Sequence, residues 1–210
     1  MRFIISMVIL SALLLVVGCA DPAADKSKAV TREASSASPQ TNVAGEKYSI
    51  TPQNSKIEFV GSKVNGSHHG SFKQFSGTVE YAGQPEKSRV NITIDMNSVT
   101  TDADGLTKHL QTPDFFDVAK FPQATFTSTE IKPGGEKGAS HTVTGNLQLH
   151  GVTKSVTFPA TIAVAPDGVT VQSTFAINRK DFGINYAGAA DNLIRDDVVL
   201  TLNVKGEKAK

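Results

Sequence analysis

Over most of the chain after Tyr48, apolar and polar residues alternate with a period of two, and no other feature limits the possible folds as strongly. Ile57 and Phe59 share a face against Lys56 and Glu58. Phe75, Gly77, Val79 and Tyr81 oppose Ser76, Thr78 and Glu80, and Val90, Ile92, Ile94 and Met96 oppose Arg89, Asn91, Thr93 and Asp95. The pattern continues through Val143–Leu149, Val156–Val164, Val169–Ile177 and Val198–Val204, with a weaker run over Ala124, Phe126 and Ser128. Successive side chains of a strand point to opposite faces, so these about eight runs predict strands with one wet face and one face committed to a core.

Turn residues separate the runs: Asn65-Gly66, Ala82-Gly83-Gln84-Pro85, Pro133-Gly134-Gly135, His150-Gly151 and Asp167-Gly168, the last with the composition of a two-residue type I′ hairpin. No segment offers the crossover helices that a parallel sheet needs. Outward positions carry Thr, Asn, Gln and Lys in place of an apolar band between aromatic girdles, which argues against a membrane-spanning barrel. The expected fold is all-β: an eight-stranded, antiparallel, lipocalin-like barrel over residues 47–206, with a short tail at 207–210. Such a barrel is either just filled by its own side chains or holds one slender ligand, and the apolar inward pattern fits both.

The connection between Met96 and Phe126 is too long for a simple meander. Its segment Leu106–Phe126, LTKHLQTPDFFDVAKFPQATF, carries paired aromatics and two prolines. Thr101 is suited to cap a short helix starting at Asp102, with Asp102 and Asp104 near the positive end of its dipole. Pro113 suits the first turn of a second short helix that points Phe115 and Phe116 to different sides, and Lys120-Phe121-Pro122 would end it. The segment is expected to lie as a lid over one end of the barrel.

The start of the chain reads as an address. Arg2, the apolar run Phe3–Val17 and Gly18 precede the single cysteine, Cys19, in the layout of a secretory signal ending in a bacterial lipobox, Val16-Val17-Gly18-Cys19. The expectation is a signal peptide over residues 1–18, cleaved ahead of a lipid-modified Cys19. Two or three acyl chains, at about 0.8 kcal/mol per buried CH₂, would hold the protein on a membrane without crossing it. Ala20, where an aspartate would favour inner-membrane retention, points to the periplasmic face of the outer membrane. Residues 19–46, rich in Ala, Ser, Pro and charge, are expected to be a disordered tether spanning on the order of 30 Å.

A formal net charge of +1, with Lys and Arg scattered, leaves no footprint for nucleic acid. His68 and His69 lie in a Gly/Ser-rich turn, His109 in the lid, and His141 and His150 at opposite ends of one strand, with no metal-ligand spacing among them, so neither a metal nor a cofactor is expected. His109, Asp114 and Asp117 could form an acid/base set, although solvated helix caps are the plainer account. Arg179 or Arg195 could hold a polar head group at the barrel mouth.

Three motifs narrow the family. Lys108-His109-Leu110 with Asp114-Phe115-Phe116-Asp117 and Phe121-Pro122, then Leu147-Gln148-Leu149-His150-Gly151-Val152-Thr153-Lys154-Ser155-Val156, then Ile177-Asn178-Arg179-Lys180-Asp181-Phe182-Gly183, resemble the YceI family in content and order. Tyr48 and Asn54-Ser55 stand where that family often has a tryptophan and a His-Ser pair. The resemblance implies a lipocalin-like barrel with a helical insertion, found in exported proteins, whose pore in some members holds a polyisoprenoid or an isoprenoid quinone tail. It implies no catalytic residues. On that footing the chain is expected to be a lipid-binding protein and no enzyme, with an isoprenoid lipid and the membrane as partners; the sequence leaves its oligomeric state open, a homodimer being one candidate. The lipid would run past Ile57, Phe59, Phe75, Val79, Ile92 and Ile94 on one side. On the other it would meet Phe126, Leu147, Phe158, Phe175 and Leu200, with Leu110, Phe115, Phe116, Phe182 and Ile184 near the mouth. A filled barrel serving as an envelope structural or interaction module, and a lipid-modifying or redox enzyme, remain open alternatives.

Overall fold

A computed structural model describes residues 21–35, 45–190 and 192–208. The expected signal peptide, Cys19 and residues 36–44 of the expected tether lie outside the described residues. In chain order the elements are β1 (Ser27–Lys28), β2 (Val30–Glu33), β3 (Glu46–Ile50), β4 (Lys56–Lys63), β5 (Gly66–Phe72), β6 (Phe75–Tyr81), β7 (Arg89–Asp95) and β8 (Val99–Thr101). They continue with α1 (Asp104–Leu110), β9 (Gln123–Pro133), β10 (His141–Leu149), β11 (Val152–Ala165), β12 (Gly168–Asn178), β13 (Gly188–Ala189), β14 (Asn192–Leu193) and β15 (Asp197–Lys208).

Antiparallel ladders close these strands into a ring. β3 pairs β6, β6 pairs β7, β7 pairs β9, the chain of hairpins runs on through β10, β11 and β12 to β15, and β15 returns to β3 and β4. Because β4 pairs β5 and β5 pairs β8, β3 with β4, β5 with β6 and β7 with β8 act as three kinked staves. The result is the expected closed, eight-stranded antiparallel barrel with one helix. Each alternating run falls on a stave, its apolar parity inward. At one end, the mouth, lie the long connections 102–122 and 179–196 and two tight hairpins; the base carries the turns between β6 and β7, β9 and β10, and β11 and β12.

Local chemistry explains where the sequence reading slips. The type I′ turn is at His150-Gly151, with φ of 52° and 75°. At the base, Ala165 pairs Gly168, so that loop is Pro166-Asp167 and Gly168 is already strand; a Cβ there would sit 2.3 Å from the Gly206 carbonyl oxygen of β15. His68 and His69 belong to β5 and not to a turn, since β4 and β8 supply ladders on both its sides. Helix α1 begins at Asp104, because the Asp102 carboxylate accepts from the His69 N–H at 2.8 Å and bonds His68 Nδ1 at 2.7 Å, while the Thr101 hydroxyl meets that of Thr107 at 2.9 Å. No second helix follows Pro113; Asp117 takes φ of 44°, and its N–H donates to Thr112 O at 2.9 Å in a run of tight turns.

The largest departure is at the expected tether, whose residues 21–35 are ordered against the barrel. β11 and β12 pair only over Thr161–Ala165 and Gly168–Gln172. Beyond that the seam parts, for Pro159 has no N–H to donate. β1 enters the gap parallel to β12 (Ser27 opposite Phe175), and β2 crosses over to run antiparallel to β11 (Val30 opposite Thr157, Glu33 opposite Lys154). Ala29 packs on the inner core through the seam, Ala23 on Ala176, Val199 and Val60 outside it. Lys28 pairs Asp197 at 2.6 Å, Glu33 pairs Lys154 at 2.5 Å, and Ser35 exchanges two hydrogen bonds with Asn146. Backbone edges that would otherwise stay unpaired offset the ordering entropy that composition alone suggested was too large.

Candidate functional site: an apolar pore under two straps

The barrel encloses a cavity of about 230 Å³. An engineered cavity of about 150 Å³ already stays dry and holds benzene when its walls are Leu, Ile and Phe. Here Ile57, Ile92, Phe126, Ile162, Val171 and Leu202 form deeper walls, and Phe59, Phe72, Leu147, Leu149 and Leu200 lie higher. Phe126, Phe158 and Phe175 form a ladder, with centroids 5.8 Å and then 4.2 Å apart, the last two rings nearly parallel at 6°. The Phe158–Phe175 stack bridges the inner side of the seam that β1 and β2 fill. Two glycines make room for these rings: a Cβ on Gly145 would lie 2.3 Å from the Phe126 ring, and one on Gly70 would lie 2.1 Å from that of Phe59. This is why β5 shows no apolar alternation in sequence.

Two straps cross the mouth. The first is α1 and the turns after it; Leu110, Phe115 and Phe116 all line the cavity, so Phe115 and Phe116 do not point to different sides. Phe116 meets Phe72 at 6.2 Å. The second is the connection 179–196, which contributes Ile184 and Ile194. The straps touch where His109 and Phe115 pack on Tyr186, centroids 5.1 Å and 5.3 Å away. The His150 ring lies 3.1 Å from the Phe182 carbonyl oxygen and 5.0 Å from the Phe121 ring, tying both straps to the β10–β11 turn.

Of the residues expected along the lipid, Ile57, Phe59, Ile92, Ile94, Leu110, Phe115, Phe116, Phe126, Leu147, Phe158, Phe175, Ile184 and Leu200 line the cavity. Phe75, Val79 and Phe182 do not. Phe75 and Val79 join Tyr48, Ile50 and Val169 in a packed cluster that adjoins the cavity residues Ile57, Ile92 and Val204, and Phe182, fully buried, anchors the second strap. Val90 and Met96, read from parity as inward but not placed along the lipid, line the cavity too, and sequence reasoning missed Phe72 and Ile194, which lie on a strand without apolar alternation and on a connection.

The polar candidates are spoken for. Arg179 is 4% exposed; its Nε donates to Arg195 O at 3.1 Å, Nη1 to Ile184 O at 2.7 Å and Nη2 to Asp196 Oδ1 at 3.3 Å. Burial pulls its guanidinium below its ordinary range and Asp196 opposes this. It clamps the second strap and has its donors turned to that strap, not to a head group. Arg195 faces Asp21 on the outside at 3.2 Å. His109 Nε2 bonds Asp114 Oδ2 at 2.8 Å on the solvated outer side of the first strap, and the Asp117 N–H and carbonyl serve the turns around it. Among the described residues no three metal-ligating side chains come together, and no helix is long and apolar enough to cross a membrane. The apolar lining is suited to burying hydrocarbon.

A profile described as a YceI-like domain matches residues 48–206. The UPF0312 protein of Pseudomonas putida (strain W619) is 38% identical over 149 residues, covering 68% of this chain and 74% of that protein. Protein YceI of Salmonella arizonae is 39% identical over 150 residues, covering 68% and 75%. Burkholderia cenocepacia BcnA superposes with a TM-score of 0.65 at 26% identity, covering 74% of this chain and 98% of that one. A polyisoprenoid binding domain from Saccharophagus degradans, implicated in plant cell wall breakdown, shares the fold at TM-score 0.62 and 22% identity, covering 77% and 98%. The seam strands β1 and β2 precede the matched region.

Proposed function

We propose that this chain, which belongs to the YceI family, is a membrane-tethered binding protein that holds a long-chain isoprenoid lipid, or the tail of an isoprenoid quinone, in its pore. The cavity carries this reading. Its walls are Ile, Val, Leu, Phe, Met and Ala apart from Gly61 and the strap-bound Arg179. A slender hydrocarbon gains about 25 cal/mol per Å² of apolar area removed from water and needs few polar contacts. The S. degradans domain, described as polyisoprenoid binding, supports the ligand class at the level of fold. With binding as the function, the His109–Asp114 pair has no catalytic part.

The lipobox sequence ending at Cys19 supports export and lipid modification there, with the mature protein on the periplasmic face of the bacterial outer membrane. Solvent extraction of a purified, unacylated Cys19→Ala protein, followed by mass spectrometry, tests the ligand. A polyprenol or quinone should co-purify or be taken up on incubation. An extract empty of both, with no uptake of added polyprenol, would overturn the reading.

A further inference from the structure

We infer that the rim of the mouth, built from Val64, Leu193 and Tyr186, rests on a lipid bilayer, so that the pore opens toward membrane and not toward water; this builds on the pore being a lipid site. Among the described residues these three are exposed by 57%, 49% and 38%, large values for apolar side chains. They are continuous with the pore. The Val64 N–H donates to Leu193 O at 3.2 Å, Ile194 bridges Lys63 and lines the cavity, and Tyr186 packs on the cavity residue Phe115. Lys63 beside Val64 puts positive charge where anionic head groups would lie.

What covers the rim follows from where the described chain begins. Asp21 pairs Arg195 at 3.2 Å, and the Arg195 N–H donates to Ser62 O at 2.9 Å. Arg195 is two residues from Leu193, and Ser62 two from Val64, so the chain enters the fold beside the exposed patch. Two further residues reach at most about 7 Å. The lipid proposed at Cys19 is therefore joined to the fold, at Asp21, by only a short stretch of chain. A free tether of residues 19–46 would let any face turn to the bilayer; the seam strands remove that freedom and leave the mouth as the face next to the anchor.

The chain has no tryptophan, so Leu193→Trp and Val64→Trp each give a single reporter. The lipid-modified full chain is reconstituted in phosphatidylethanolamine/phosphatidylglycerol vesicles containing brominated acyl chains. Val164→Trp, at the base and exposed by 42% in the native chain, is the control. Blue-shifted, bromine-quenched emission at both rim sites and none at the base is expected. Equal quenching at all three sites, or none at the rim, overturns the inference. So does a rim blue shift that needs no vesicles and grows with protein concentration, since a second copy would then be the occupant. Val64→Asp with Leu193→Asp should slow lipid uptake from vesicles about tenfold, through lost apolar contact, with the amount bound at saturation unchanged. Solvent extracts of the same samples read the pore separately: an empty pore with a quenched rim removes the lipid-site reading alone, and a filled pore with an unquenched rim removes the docking alone.

Discussion

The two ends of the barrel are closed by different means. At the base, short turns bring the staves together over Tyr48, Ile50, Val79 and Val169, each buried in one packed cluster and none lining the cavity. At the mouth, two long connections meet through the His109, Phe115 and Tyr186 rings, and the side chains that close the pore also line it. A packed end made of continuous strands opens only with the whole fold. A strap held by ring contacts and one clamp can open locally. The base is thus foundation and the mouth is entrance.

Truncations at the two ends should separate. Tyr48→Ala, deep in the base, should cost about 3–5 kcal/mol in denaturant unfolding and leave the lipid release rate of the folded protein unchanged. Phe115→Ala at the mouth should cost less, about 2–3 kcal/mol, because the strap can settle, and should speed release about tenfold or more in a stopped-flow exchange assay. A Phe115 loss as large as that of Tyr48, with release unchanged, would make the mouth a plug like the base. The seam is intermediate. Ala29→Asp places a charge against the inner core and should cost about 1–2 kcal/mol, seen first as faster amide exchange at Lys154–Thr157 while Val169–Gln172 stays protected. The smallest effect is at Asp102, which ties β5 to the start of the first strap. The His69 N–H, then His68, hold its carboxyl below its ordinary 3.8. A carboxyl lowered in the folded state gives stability that is complete above the unfolded value and is lost as pH falls through the folded one. Asp102→Asn should therefore slightly lower the melting temperature at neutral pH and flatten its decline below about pH 4.

How much of this was legible depends on how far each residue's partner lies along the chain. The staves were readable, because a run such as Val90, Ile92, Ile94 and Met96 carries its inward face in its own parity. β5 was not, because its inward Gly70 is small to admit the ring of Phe59, an effect of a cross-strand neighbour. The seam strands were hidden for the same reason: Ala29 and Ser27 look like linker residues until Pro159 leaves a gap beside Phe175, far away in sequence. In the first strap the prolines and aromatics marked a lid, but Asp102 engaged β5 in place of a helix start, and Asp117 took a left-handed turn where a second helix was expected. Most of the cavity wall could be read from strand parity. Its exceptions are Phe75 and Val79, which stand opposite the cavity residues Ile94 and Val90 yet pack into a cluster of their own, and Phe182, which lies on the second strap where strand parity does not apply.

The central claim is that the pore takes up an isoprenoid chain, and thermal unfolding with added polyprenol addresses it directly. At 100 times its dissociation constant a ligand of the folded state adds about 2.7 kcal/mol, raising the melting temperature by roughly 5–10 °C for a chain of this size. Leu147→Trp, which fills the cavity from β10, should fold and lose that rise. No rise in the native protein, or an equal rise in both, would contradict the account.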